Sequence, residues 1–414
     1  MRKTLPTEGR SWGDIETEMQ ARSEGDADWR AGKTAVYVFN AGDDVRDVAK
    51  NAYGMFMSEN GLGPAAFPSL QQMEQEVVDF GLALLQAPDG AAGCMTSGGT
   101  DSIFMALKTC RDYWRSTGRD TAAANIVVPQ TAHPAFSKAG HLLDIDVIRV
   151  PVAADFTANV AAMAAAVDEQ TVMLVGAAPC FPFGLIDPIA ELSEVALEKD
   201  VWLHVDACVG GYFAPFARMN GVNLPAFDFA LPGVRSMSAD LHKYGYTAKG
   251  ASTVLYRSAE TFEHQIFRFG DWPNGVMTTP TLAGTRPGGA IAAAWAVMNY
   301  LGEDGYRQKA ADVIRARQKI EAGLQDIGDL DVYGSPQLGL ICFGSDKIDI
   351  LAVAERMMAK GWVSARTQTP KGLHLMLSPK HLEVAGAYLS DLRAAVERVR
   401  ESGQRAKETS GFYN

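Results

Sequence analysis

The 414-residue sequence predicts an α/β protein, with a large, mostly parallel sheet covered by helices on both faces and a smaller α+β lobe behind it. Three observations predict this. Short Val-rich runs alternate with segments of helical periodicity from about residue 100 to residue 205, the order that builds strand-helix-strand units. The runs are apolar along their length, as strands buried on both faces must be. The length suits one large domain with one or two smaller lobes.

The elements follow in order. Apolar positions at helical spacing predict a helix over 44–57, a segment with Gly61, Gly63, Pro64 and Pro68 interrupts it, and a second amphipathic helix covers 72–86. The alternation then predicts a helix at 100–114, a buried strand at 125–129, a helix at 134–143, a strand at 146–151 and a helix at 161–167. It continues with a strand at 171–177, a helix at 188–199 and a strand at 201–205. After a further strand at 252–256 come an Ala-rich apolar helix at 289–300 and a long amphipathic one at 305–324. Strand, helix, strand, helix at 339–343, 350–360, 372–377 and 382–401 make the small lobe, and 402–414 reads as a loose tail. The expected organisation is an N-terminal arm and helix over 1–60, a large α/β domain over 61–305 and a small C-terminal α+β domain over 306–414.

Composition excludes several classes. A balance of 38 Lys and Arg against 49 Asp and Glu gives a net charge of -11, which repels nucleic acid and anionic membranes. An anionic ligand therefore needs a local positive site. Residues 1–20 hold no apolar run, and the longest apolar stretches, 160–167 and 290–301, are too short to span a bilayer, so neither a signal peptide nor a membrane anchor is expected. Cys94, Cys110, Cys180, Cys208 and Cys342 are odd in number, scattered and not spaced as metal ligands. Free thiols in a reducing cytoplasm, and no metal, are the expectation.

Four segments carry the chemistry. In Thr96-Ser97-Gly98-Gly99-Thr100-Asp101, two glycines precede a helix, so backbone can approach a ligand closely while free N–H groups at the helix start form a phosphate seat. Taken alone, such a segment is more commonly a capped helix after a glycine turn. It matches neither the Walker A loop nor GxGxxG, which argues against a nucleotide. Asp206 ends an apolar strand at the edge where such sheets bind ligands, placed to pair with a protonated heterocycle nitrogen or to cap a turn. His133 also follows a strand and could stack on a flat ring or cap a loop. In Ser236-Met237-Ser238-Ala239-Asp240-Leu241-His242-Lys243-Tyr244, Lys243 stands after a histidine among small polar residues, as a solvated lysine or as an amine for an aldehyde. Jointly, a phosphate seat, a stacking ring, a carboxylate and an amine describe pyridoxal 5'-phosphate.

With these segments, and with His204-Val205-Asp206-Ala207-Cys208-Val209-Gly210-Gly211 and Ala283-Gly284-Thr285-Arg286-Pro287-Gly288-Gly289, the chain resembles the group II pyridoxal-phosphate decarboxylase family. That family has the aspartate aminotransferase-like fold, fold type I, and the resemblance is greatest to its sphingosine-1-phosphate lyases. It implies that Lys243 bonds the cofactor as a Schiff base, that Asp206 pairs with the pyridine nitrogen and that His133 stacks on the ring. It further implies that Ser97, Gly98, Gly99, Thr100, Ser238 and His242 hold the cofactor. Gly284 and Thr285 would reach the phosphate of a neighbouring subunit, making a homodimer the functional unit. Tyr37 and Lys249 match positions that face the substrate phosphate. Two positions depart from the lyases: Gly63 stands where they carry a histidine, and Phe183 replaces the histidine of a Phe-Pro-His-Gly segment.

The implied activity is retro-aldol cleavage of a 2-amino-3-hydroxy substrate to an aldehyde and an amine. The alternative is amino-acid decarboxylation, for which Arg286 or Arg366 would hold the substrate carboxylate. From another class, a non-catalytic scaffold would have no need of Lys243, Asp206, His133 and the glycine seat together.

Overall fold

The protein is described from a computed structural model covering residues 2–407. Part of the tail expected at 402–414 lies outside these residues; Ser402 itself ends a helix, Lys380–Ser402. The large sheet consists of β1 (Ala92–Thr96), β2 (Asn125–Pro129), β3 (Asp146–Val150), β4 (Thr171–Ala177), β5 (Trp202–Asp206), β6 (Val234–Ala239) and β7 (Ser252–Tyr256), in the order β1-β7-β6-β5-β4-β2-β3. Strands β2 to β6 are mutually parallel, whereas β7 runs antiparallel to both β6 and β1. Strand β1 therefore points the same way as the parallel set. The carboxyl ends of β1, β2, β4, β5 and β6 meet at one edge, together with the start of β7. Ligands collect at this edge in such sheets.

The expected strands and helices of the alternating region are all present, with ends shifted by a residue or two, as in the helices Gly99–Ser116, Ala135–Leu143 and Ile189–Glu198. Two strands of this large sheet lacked a sequence signal. Strand β1, Ala-Gly-Cys-Met-Thr, has little β-branched character, and β6, Val-Arg-Ser-Met-Ser-Ala, carries serines where a buried strand is expected to be apolar. Backbone pairing, to β7 alone for β1 and to both β5 and β7 for β6, outweighs such weak local preference. An exposed helix, Trp12–Ser23, was also hidden in the polar start; Ser11 Oγ accepts the Asp14 N–H at its beginning.

The helices expected at 289–300 and 305–324 form one span, Gly288–Ile327, broken at Gly302, whose φ of 54° and ψ of -175° end one helix and admit the next. We propose that the lobe boundary falls just beyond this break, between residues 305 and 306. The small lobe holds an antiparallel sheet of β10 (Asp331–Val332), β11 (Leu340–Gly344), β12 (Ala365–Gln368) and β13 (Lys371–Met376), ordered β10-β11-β13-β12. After the large sheet in sequence comes a two-stranded ribbon, β8 (Phe267–Phe269) and β9 (Met277–Thr279), whose exposed side chains include Phe267, Phe269, Trp272 and Val276.

Backbone contact at the ligand edge is tight. A Cβ added at Gly210 would lie 2.1 Å from the Ala178 carbonyl oxygen, and backbone cannot yield as a flexible side chain does. Gly210→Ala should cost about 3 kcal/mol by forcing the turns after β4 and β5 apart. A lowered urea midpoint checks this, and an unchanged one counts against the packing described.

Candidate active site

The turns after β1, β2, β4, β5 and β6 each contribute residues to one cavity of about 340 Å³. From the turn after β1 come Ser97, Gly98, Gly99 and Thr100; from that after β2, His133; from that after β4, Pro179 and Phe181; from the end of β5, Asp206 and Cys208. The turn after β6 adds Asp240, His242 and Lys243. Residues separated by more than a hundred positions thus converge because their strands are neighbours and parallel.

The charged centre is Lys243. Its Nζ lies 3.0 Å from Asp240 Oδ2, and His242 Nε2 lies 3.7 Å from the same oxygen. Asp240 Oδ1 accepts the Ser252 hydroxyl at 2.5 Å. Burial opposes the charge on both partners of this pair, yet their mutual attraction outweighs it: the Asp240 carboxyl lies below its ordinary range and the Lys243 ammonium above its own. Asp240 had no assigned role in the sequence, although it stands in the same run three places before the lysine. A carboxylate at that spacing beside a lysine in a turn was the available signal.

The phosphate seat is shaped by what a larger residue would strike. A Cβ on Gly99 would lie 2.7 Å from Cys208 Sγ and 2.8 Å from Asp240 Oδ2, so only glycine leaves this start of the helix Gly99–Ser116 open. The His242 ring lies against Gly98, and its Nδ1 is buried with no hydrogen-bond partner among the described residues. Burial lowers the His242 pKa, with Asp240 opposing. A buried ring nitrogen lacking a partner, next to the open N–H groups of a helix start, fits the phosphate of pyridoxal phosphate.

At the other end, Asp206 Oδ1 accepts the Cys208 N–H at 3.1 Å and the Ser238 hydroxyl at 3.5 Å, while the side chain lines the cavity. His133 Nδ1 accepts the Ala135 N–H at 3.1 Å, which places the proton of the neutral ring on Nε2. Burial lowers its pKa and keeps it neutral, although Asp206 works in the opposite direction. These groups fit the ring nitrogen and ring face of the cofactor.

The remaining expected residues lie elsewhere. Ser238 is fully buried behind Asp206 rather than on the cavity wall. Lys249 stands just before β7, on the far side of His242; its Nζ donates to the Tyr37 carbonyl at 2.9 Å and the His242 carbonyl at 3.2 Å. Loss of water and the charge of Lys243 bring its pKa down to about 8. Phe183 is not brought to the cavity: it is 4% exposed and packs on Phe156, with ring centres 4.8 Å apart, in a cluster with Cys180, Leu185 and Cys342. Gly63 lies in the turn leading into the helix Pro68–Leu84, and neither it nor Gly284 or Thr285 lines this cavity. Arg286 is bound to Glu74 and to the carbonyls of Met95 and Gly61, a structural tie that joins the helix Pro68–Leu84 and the turn before it to β1. Arg366 lies on β12 of the small lobe. Among the described residues no group of His, Cys, Asp or Glu is arranged to hold a metal, and no helix is long and apolar enough to cross a membrane.

Known proteins resemble this chain along almost its whole length. Residues 27–345 match the pyridoxal-dependent decarboxylase conserved domain. The sphingosine-1-phosphate lyase of Oryza sativa subsp. japonica is 40% identical over 97% of this chain and 75% of its own length. Sphingosine-1-phosphate lyase 1 of Mus musculus is 37% identical over 98% of this chain and 72% of its own. The solved structure of the Burkholderia pseudomallei sphingosine-1-phosphate lyase aligns with a TM-score of 0.93 at 36% identity, covering 97% of this chain and 94% of that one. The glutamate decarboxylase of Lactobacillus brevis shares the fold, with a TM-score of 0.83 at 20% identity over 97% of this chain and 96% of that one. The chain belongs to the pyridoxal-dependent decarboxylase family and, within it, to the group of the sphingosine-1-phosphate lyases.

Proposed function

We propose that the protein is a carbon-carbon lyase that cleaves the Cα–Cβ bond of a phosphorylated 2-amino-3-hydroxy compound of sphingoid type, releasing an aldehyde and a phosphorylated amine. The supporting observation is the likeness to sphingosine-1-phosphate lyases along almost the whole chain, up to 40% identity. Pyridoxal phosphate, when bound, supplies an electron sink for the pair left on Cα as the bond breaks. Lys243 is the amine for the cofactor aldehyde, and Asp206 holds the proton of the ring nitrogen. His133 presents its ring face, with its proton on Nε2. Ser97, Gly98, Gly99, Thr100 and the Nδ1 of His242 seat the phosphate, and Ser238 acts through Asp206.

Lys249, beside Tyr37, is proposed to meet the substrate phosphate. Its pKa of about 8 lies below the ordinary lysine value, so the ammonium is present below pH 8 and lost as pH rises through it. With a phosphorylated amino alcohol, kcat/KM should therefore fall above about pH 8. In Lys249→Met that break should vanish and KM at pH 7 should rise at least about tenfold, with kcat little changed. Release of aldehyde without carbon dioxide supports the lyase; carbon dioxide evolved from an amino-acid panel would sink it. Equal turnover of the dephosphorylated analogue would remove the phosphate from the substrate.

The functional unit is proposed to be a homodimer. The apolar ribbon around Phe267, Phe269 and Trp272, with exposed Leu282 beside Gly284 and Thr285, offers surface that a second copy would cover, bringing those two residues towards the neighbour's phosphate. A monomer in sedimentation at working concentration would refute this. Five unpaired, buried cysteines suit a reducing cytoplasm.

A further inference from the structure

Behind Asp206 lies a row of polar side chains that bind no part of the cofactor or substrate in the chemistry above. Residues two apart on a strand share a face, so Trp202, His204 and Asp206 line one side of β5. Strand β6 sets Ser236 beside His204 and Ser238 beside Asp206. Trp202, His204, Ser236 and Ser238 are all completely buried, next to apolar Val175, Val128 and Phe136. A polar row in such surroundings is costly unless every hydrogen finds an acceptor.

The contacts are continuous. Trp202 Nε1 donates to Ser236 Oγ at 2.7 Å, Ser236 Oγ meets His204 Nδ1 at 2.8 Å, His204 Nε2 meets Ser238 Oγ at 3.3 Å, and Ser238 Oγ donates to Asp206 Oδ1 at 3.5 Å. Their direction follows from what each group can do. An indole N–H only donates. Ser236 must then place its own hydrogen, and the acceptor it meets among the described residues is His204 Nδ1. Burial takes the His204 pKa down to about 4, so the ring is neutral and its proton sits on Nε2, pointing at Ser238. Ser238 also receives the Cys208 thiol at 3.3 Å and turns its hydrogen to Asp206. Each link points towards the carboxylate.

We infer that Trp202, Ser236, His204 and Ser238 form a one-way hydrogen-bond relay that keeps Asp206 an acceptor-only carboxylate, its Oδ1 occupied by donors and its Oδ2 left for the ring nitrogen of the cofactor. His204 is thus a positioning residue for the reaction, an inference that rests on Asp206 being the partner of that nitrogen. A polar row that merely set strand register would affect stability and nothing else.

Two measurements test the relay. In the cofactor-free wild-type protein, NMR of isotope-labelled histidine should show His204 in the Nε2–H tautomer; the Nδ1–H tautomer overturns the relay whatever the enzyme's substrate. In the holoenzyme loaded with ring-15N pyridoxal phosphate, His204→Leu should move the ring-nitrogen resonance from the protonated towards the neutral range and lower kcat about tenfold at unchanged KM. His204→Gln, whose amide nitrogen replaces the Nε2 donor, should restore both to within about threefold of wild type. A folded, fully loaded His204→Leu protein with wild-type resonance and kcat would reduce the row to a structural one. A neutral ring nitrogen in the wild type itself would instead overturn the role of Asp206, while leaving the tautomer result standing.

Discussion

Lys243→Ala should lower turnover by about 10⁴-fold or more and abolish the visible absorption band of lysine-linked cofactor. It should also destabilise the cofactor-free protein by roughly 3 kcal/mol, because it strips a buried carboxylate of its nearest cation. The geometry supplies both effects. Lys243 Nζ is the amine on the wall of the cavity formed by the strand ends, and it stands 3.0 Å from Asp240, which is only 2% exposed. His242 and Ser252 remain around Asp240 after the substitution and limit the loss. The double variant Lys243→Ala, Asp240→Asn separates the two effects: stability should return towards wild type in chemical unfolding, and activity should not. Retained absorption in Lys243→Ala would remove this lysine from the chemistry, and unchanged stability would mean that the pair carries no net burial strain.

Asp206→Asn should cost on the order of 10³-fold in kcat with little change in KM or cofactor content. An amide of the same size fills the same space beside Cys208 and Ser238, so the fold has no reason to change. What is lost is the negative charge of a buried carboxylate at the end of the cavity, where low polarisability makes one charge worth far more than in water. In the proposed role of Asp206, the ring nitrogen would then have no anion to hold its proton, and the electron sink would weaken. Steady-state kinetics with the phosphorylated amino alcohol, together with absorbance of the loaded protein, measure this. A loss of less than tenfold in a fully loaded variant would contradict the assignment of Asp206.

Much of this was legible in the chain because the signals are local. The alternation of apolar runs with helical segments predicts a parallel sheet without any knowledge of pairing, and Gly98-Gly99, His133, Asp206 and His242-Lys243 each stand at a junction after a predicted element or within a turn. Strands β1 and β6 were not legible. Their residues favour a strand weakly, and what makes them strands is pairing with strands distant in sequence, β7 for β1 and both β5 and β7 for β6. Asp240 escaped notice for a related reason. A carboxylate in a turn is ordinary until its partner is known, and the 3.0 Å contact to Lys243 depends on how the turn after β6 folds back.

By itself the sequence determined the cofactor class, the fold class and the order of the residues proposed to hold the cofactor, since these follow from residue types at the ends of locally encoded elements. The tertiary structure alone decided which way those residues face. Period-two alternation says that Ser236 and Ser238 share a face, and it does not say which face; the register of β6 against β5 turns them behind Asp206 and away from the cavity. The packing of Phe183 against Phe156 likewise draws it out of the site, and the chain path carries Gly63 into a turn away from the cavity. Orientation and register arise from contacts between residues far apart in sequence, which no local pattern records.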